Sequence, residues 1–192
     1  MLLNTLKQFN WLDILILIVI SRVCYIALKN GFTAEFFKIF GTLMAVYISM
    51  HYCVLLADYA IRVASFDAKA SLEIIYFIFF VALASSGYLL FFLLRKAFDN
   101  FVKIETVSAL NKWGGLILGA LRSILLVSLI AFAMVVSSVP YFKNSVKNSY
   151  LGQRLVLAAP DTYTWAWENI FSKFMTSEKE GSIVINTKKE LI

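Results

Sequence analysis

Four apolar runs, each close to the ~20 residues a helix needs to cross a hydrocarbon core, leave this chain few folds to adopt. They are WLDILILIVISRVCYIALK (residues 11 to 29), FFKIFGTLMAVYISMHYCVLLA (36 to 57), LEIIYFIFFVALASSGYLLFFLL (72 to 94) and GGLILGALRSILLVSLIAFAMVV, which opens a span from 114 to about 138. With 60% hydrophobic and 16% charged residues among 192, the chain has too little polar surface to bury four such runs in a soluble core. Strand-like alternation is absent, which argues against a transmembrane barrel. The expected fold is all-α and polytopic: four transmembrane helices over residues 1–138, then a polar tail over 139–192.

The first run could be read as a signal peptide, but it is long, has no small-residue cleavage site and continues straight into another span. A retained helix is expected. Asn30 and Gly31 mark a tight link after it. Residues 58 to 71 read as a surface linker, and residues 95 to 113, with Phe98, Phe101, Val102 and Ile104, as an amphipathic interfacial segment. In the tail, Pro160 and Asp161 can start a helix over about 161–175. Its face would carry Tyr163, Trp167, Ile170, Phe171 and Phe174. Aromatic residues of this kind suit the headgroup layer, the alternative being a partner-docking helix. The last dozen residues read as disordered.

A net charge of +6 can signal a nucleic-acid partner, but the basic residues flank apolar runs rather than forming one face. Anionic headgroups fit that arrangement better, so the expected partner is the lipid bilayer and not nucleic acid. Lysines and arginines divide evenly between the two sides. The positive-inside rule weights short loops, which places Lys29, Lys38, Arg95, Lys96, Lys103 and Lys112 in the cytoplasm and both termini outward. Cys24 and Cys53 sit at different depths of antiparallel runs, too far apart for a disulfide.

Three charged residues stand inside spans. Asp13 follows the helix-capping Asn10 by three residues and suits the first turn of a helix. Arg22 is on the opposite face from Asp13, and either snorkelling or a place in the bundle is open to it. Arg122 is better constrained. Gly115 and Gly119 form a G-x-x-x-G pair extended by Ser123, and Arg122 falls about 20° from Gly115 around the helix. Such stripes let helices approach closely, so Arg122 is expected to face protein, and the stripe to pack helices within one chain or in a homo-oligomer. A central charge costs about 2.5–3.5 kcal/mol without a partner or water. Asp13, Glu35 and Glu73 lie near span ends, so the expected partners are Tyr47, Ser49, Ser85, Ser86, backbone carbonyls or water.

His51 is the single histidine, neither cysteine has a companion at metal-ligand spacing, and G-x-S-x-G, H-E-x-x-H and P-loop signatures are missing. Ser49 and His51 point to divergent helix faces. No catalytic residue, metal site or cofactor is expected, although an enzyme dependent on His51 stays open as a third reading.

NWLDILIL (10 to 17), KNGFTAEFFKIFG (29 to 41), ALNKWGGLILGALRSILLVS (109 to 128) and SVKNSYLGQRL (145 to 155) stand in an order that resembles the bacterial colicin V production protein family. The likeness runs from about Phe9 to Phe174, with Asp13, Gly31, Phe32, Gly115, Gly119 and Arg122 at the family's motif positions. Asn30 departs from the basic residue usual before the glycine, and Ser123 from the glycine usual after the arginine. The resemblance implies a non-enzymatic inner-membrane accessory protein of toxin production or export, tied to envelope homeostasis and acting with envelope or export proteins. A small oligomeric channel or carrier, with Arg22 and Arg122 lining a polar recess, is the other reading.

Overall fold

The computed structural model describes residues 10–64, 72–101, 108–137, 139–175 and 180–191. Among these residues there is no strand. The elements are α1 (Trp11–Ala64), α2 (Leu72–Phe101), α3 (Ser108–Val136), α4 (Pro140–Lys147), α5 (Tyr150–Leu155), α6 (Ala158–Asn169), a 3-10 turn (Phe171–Lys173) and α7 (Ser182–Leu191). Three of them are long and apolar enough to cross a membrane: Trp11–Val63, Ile74–Leu94 and Asn111–Val136. The fold is that of a polytopic all-α membrane protein.

α1 is one helix by hydrogen bonding but two arms in space. Gly31 alone interrupts it, at φ 78° and ψ 177°, a conformation open to glycine and strained for other residues. A straight helix would hold Leu12 and Met50 about 57 Å apart at 1.5 Å per residue, yet both sit in one core cluster. The chain therefore doubles back at Gly31. The expected multi-residue link is a single-residue corner, because the amide of Phe32 finds its acceptor in Asn111 Oδ1 at 2.7 Å. The expected linker at 58 to 71 is helical through Ala64, and its remainder lies outside the described residues, as do Val102 and Ile104.

α3 is the central helix: half of its apolar span is buried, against 11% for that of α2. α2 packs along the second arm of α1, where a Cβ on Gly87 would come within 2.9 Å of the Ala45 backbone. It meets α3 through Phe80 and Phe132, ring centres 5.6 Å apart. Its other side is bare, with Ile74, Ile78, Val81, Leu89, Phe92 and Leu93 exposed.

The tail folds onto the bundle. Val146, Val156, Ala159, Tyr163 and Trp167 are buried in the same core as Leu12 and Phe132. Between α5 and α6 the helix breaks. There Ser128 Oγ of α3 donates to Val156 O at 2.9 Å and accepts from Ala159 N–H at 2.7 Å. Ser128 is buried and lies eight residues, about 12 Å, inside the end of α3. Irregular backbone at such depth is tolerated where protein satisfies it, and one hydroxyl does so here. The final residues, expected to be disordered, form α7. Ile183, Val184 and Thr187 make an inward face, and Gly181 lets the chain approach Met50 O so closely that a side chain there would collide.

Candidate functional site

A charged cluster lies inside the bundle on the Gly31 side. Arg122 is 4% exposed and Glu35 is fully buried. Arg122 Nε stands 3.3 Å from Glu35 Oε2. Both atoms lack an aligned hydrogen bond, so this is a contact of charges without good donor geometry. The other carboxylate oxygen, Oε1, accepts from Lys38 Nζ at 2.6 Å and Asn30 Nδ2 at 3.2 Å. Tyr88 Oη is 3.5 Å from Arg122 Nη1, a marginal contact.

The partner of Arg122 is thus Glu35, not Tyr47 or the serines expected; the Tyr47 hydroxyl donates to Met175 Sδ. Ser49 donates to Val46 O and Ser86 to Leu83 O, each within its own helix. Glu35 stands in the first turn beyond the corner, and a helical side chain leans toward its own N-terminus. Arg122 therefore reaches back toward the Gly31 end and meets it. The small-residue stripe brings the helices together there. A Cβ on Gly115 would lie 2.8 Å from the Gly31 carbonyl carbon and 2.9 Å from Ala27 O, and one on Gly119 would strike the Ala27 methyl. The stripe expected to serve either this chain or a second copy is filled by the first arm of the same chain. Ser123 is buried beside it and bonds Ala120 O.

Asp13 is fully buried and ties the tail to the first arm. It accepts from Asn10 N–H at 2.8 Å, as a helix start requires, and also from Ser149 Oγ and Leu151 N–H, each at 2.7 Å. A fourth contact, from Tyr150 N–H, is 3.3 Å long. Every neighbour donates, so only a carboxylate satisfies them all. Asp13→Asn turns an amide NH₂ toward these donors and is expected to cost about 2 kcal/mol. Limited trypsin digestion checks this: cleavage at exposed Lys147 and Arg154 should speed up, and an unchanged rate would refute the role.

His51 closes the opposite side of the core. Its Nδ1 is 2.9 Å from Tyr163 Oη, which accepts from Gly181 N–H at 2.8 Å. The imidazole stacks between Tyr47 and Trp167 at 5.3 and 4.9 Å. The aromatic face expected over 161–175 is therefore divided. Tyr163 and Trp167 are buried, and Phe171 stacks on Tyr47 at 4.1 Å, whereas Ile170 and Phe174 are 43% and 82% exposed. The helix ends at Asn169, and Ile170 at φ −118° and ψ −67° turns the next residues off that face.

Arg22 and Arg122 do not line one recess. Arg122 points inward and Arg22 is exposed on the outer face of the first arm. An open cleft of about 630 Å³ lies elsewhere, lined by His51, Asp58, Arg62, Glu180 and their neighbours. Both cysteines are free thiols. Sequence reasoning missed Glu35, Asn111 and Ser128. The tight link itself was the one signal pointing to Glu35, since a corner at Gly31 carries the next helical turn back into the bundle.

The buried arginine, the glycine corner and the stripe that receives it fall within a stretch, residues 12–160, that matches the family described as Colicin V production protein. The chain belongs to the colicin V production protein family. Membership makes it a membrane protein with an accessory place in toxin production, and the matched region reaches through Ser128's partners to Pro160. No curated protein and no solved structure matches the chain.

Proposed function

We propose that this chain is a non-enzymatic accessory protein of the bacterial inner membrane that supports toxin export or envelope homeostasis by assembling with other membrane proteins. The carrying observation is that its inner polar groups are engaged with one another. Arg122 meets Glu35, Asp13 holds Ser149 and Leu151, and His51 meets Tyr163. Groups so occupied hold a shape, and Asp13, Glu35 and Arg122 are also closed off from solvent. The Gly31 corner, with exposed Lys29 and Lys112 beside it, suits the cytoplasmic side, with both termini outward.

The test is complementation. The chain is expressed in bacteria lacking their own family member, and secreted colicin V is quantified. Rescue is expected, while the purified chain alone in liposomes should move no solute. Solute flux by the chain alone would overturn the accessory reading in favour of a channel or carrier.

A further inference from the structure

The two intramembrane arginines have opposite fates. Arg122 has found Glu35, whereas Arg22 makes no hydrogen bond or ion pair with any described residue and is exposed. Leu12, Asp13, Ile16 and Ala27 turn the inner face of the first arm into the core. On the outer face Ile14, Ile18, Tyr25 and Leu28 are 41–61% exposed, with Ser21 and Arg22 exposed at the middle.

Depth decides what this face needs. Arg22 is about 16 Å from the level of Trp11 and about 13 Å from that of Gly31. If Trp11 and Gly31 mark the two ends of the span, an arginine that snorkels along its own stem keeps its guanidinium within the apolar layer. A charge left there in hydrocarbon is costly, so intramembrane charges pair or face water.

Two-fold pairing with a second copy through this face does not supply the partner: it would set Arg22 against Arg22. The described acids in the first two arms are taken: Asp13 by the tail, Glu35 by Lys38 and Arg122, and Asp58 by Tyr76 Oη at 2.8 Å. Charge complementarity calls for a carboxylate from another chain at the same depth.

We propose that the outer face of the first arm, centred on Arg22, is the docking surface for a transmembrane helix of a different protein carrying an aspartate or glutamate midway along its apolar run. Arg22 offers a forked donor to the carboxylate, and the Ser21 hydroxyl stands beside it. Ile18 and Tyr25, one turn to either side, make the apolar flanks. Lys29 lies over the Tyr25 ring, 4.5 Å from its centre, and edges the same face with a second positive charge. The inference rests on the accessory reading and deepens it by giving the chemistry of the partner.

The experiment uses the full chain in bacteria, with a benzophenone amino acid at position 18 or 25 and, as control, at exposed position 130 on α3. Illumination should give one discrete adduct from positions 18 and 25, absent from 130. Mass spectrometry should identify a membrane protein with an acid midway along an apolar run. Arg22→Leu should lower the adduct yield about tenfold or more at equal chain abundance, as loss of a charge pair in low dielectric predicts. Arg22→Glu combined with acid→Arg in the partner should restore it. An adduct of two copies of this chain, adducts to lipid only, a partner without the acid, or a yield indifferent to Arg22→Leu would each overturn the proposal. Colicin V secretion from the same strains separates the two readings. Rescue without the adduct removes the docking surface and keeps the accessory role. A charge-swappable adduct without rescue does the reverse.

Discussion

Glu35→Gln is expected to destabilise the folded chain by about 3 kcal/mol, the larger of two unequal effects at the buried ion pair. It leaves Arg122, 4% exposed, without its acid, and a guanidinium cannot shed its charge. Arg122→Leu is expected to cost roughly half as much on the same grounds, since Glu35 then keeps Lys38 at 2.6 Å and Asn30 at 3.2 Å. The double variant Glu35→Gln, Arg122→Leu should be more stable than Glu35→Gln alone, because the orphaned cation is gone. Unfolding midpoints in detergent for the three variants give the comparison. Equal losses for the two single variants, with a fully additive double, would mean the pair contributes nothing as a pair.

Gly115→Leu should have a comparable effect through packing. The new side chain would have to enter a space where even its Cβ lies 2.8 and 2.9 Å from backbone atoms of Gly31 and Ala27. The helices must separate, at a cost of about 1–3 kcal/mol or more. The loss should appear as reduced stability of the single chain in detergent. A drop in crosslinked dimer with unaltered stability would instead place the stripe between chains. The pair Ala27→Gly, Gly119→Ala supplies a finer check. It moves one methyl across the contact and should retain much of the stability that Gly119→Ala alone loses.

Hydropathy made the apolar arms visible because each is continuous and of membrane length, and the stripe at Gly115 and Gly119 was visible because small residues recur on one face. Glu35 was hidden for a geometric reason. Counting depth along separate spans put it at an end, whereas Arg122 leans back by most of its own length toward that end. The docked tail was hidden because a serine in an apolar helix usually bonds its own turn, as Ser123 and Ser137 do. Nothing in the spacing of Ser128 distinguishes it from them, yet it holds Val156 and Ala159. Aromatic spacing over 161–175 was read on an unbroken helix, and the break at Ile170 divides that face.

The seam held by Ser128 also sets an order of assembly. The translocon admits segments on their own apolarity, and α4, α5 and α6 are each too short to enter that way. They also emerge from the ribosome after the three long helices. The gap between α5 and α6 would enter hydrocarbon with a bare carbonyl and a bare amide unless α3 were already in place to receive them. Insertion and closure are therefore successive events, and a chain terminated before Val156 would present the membrane with a bundle whose central serine faces an open notch.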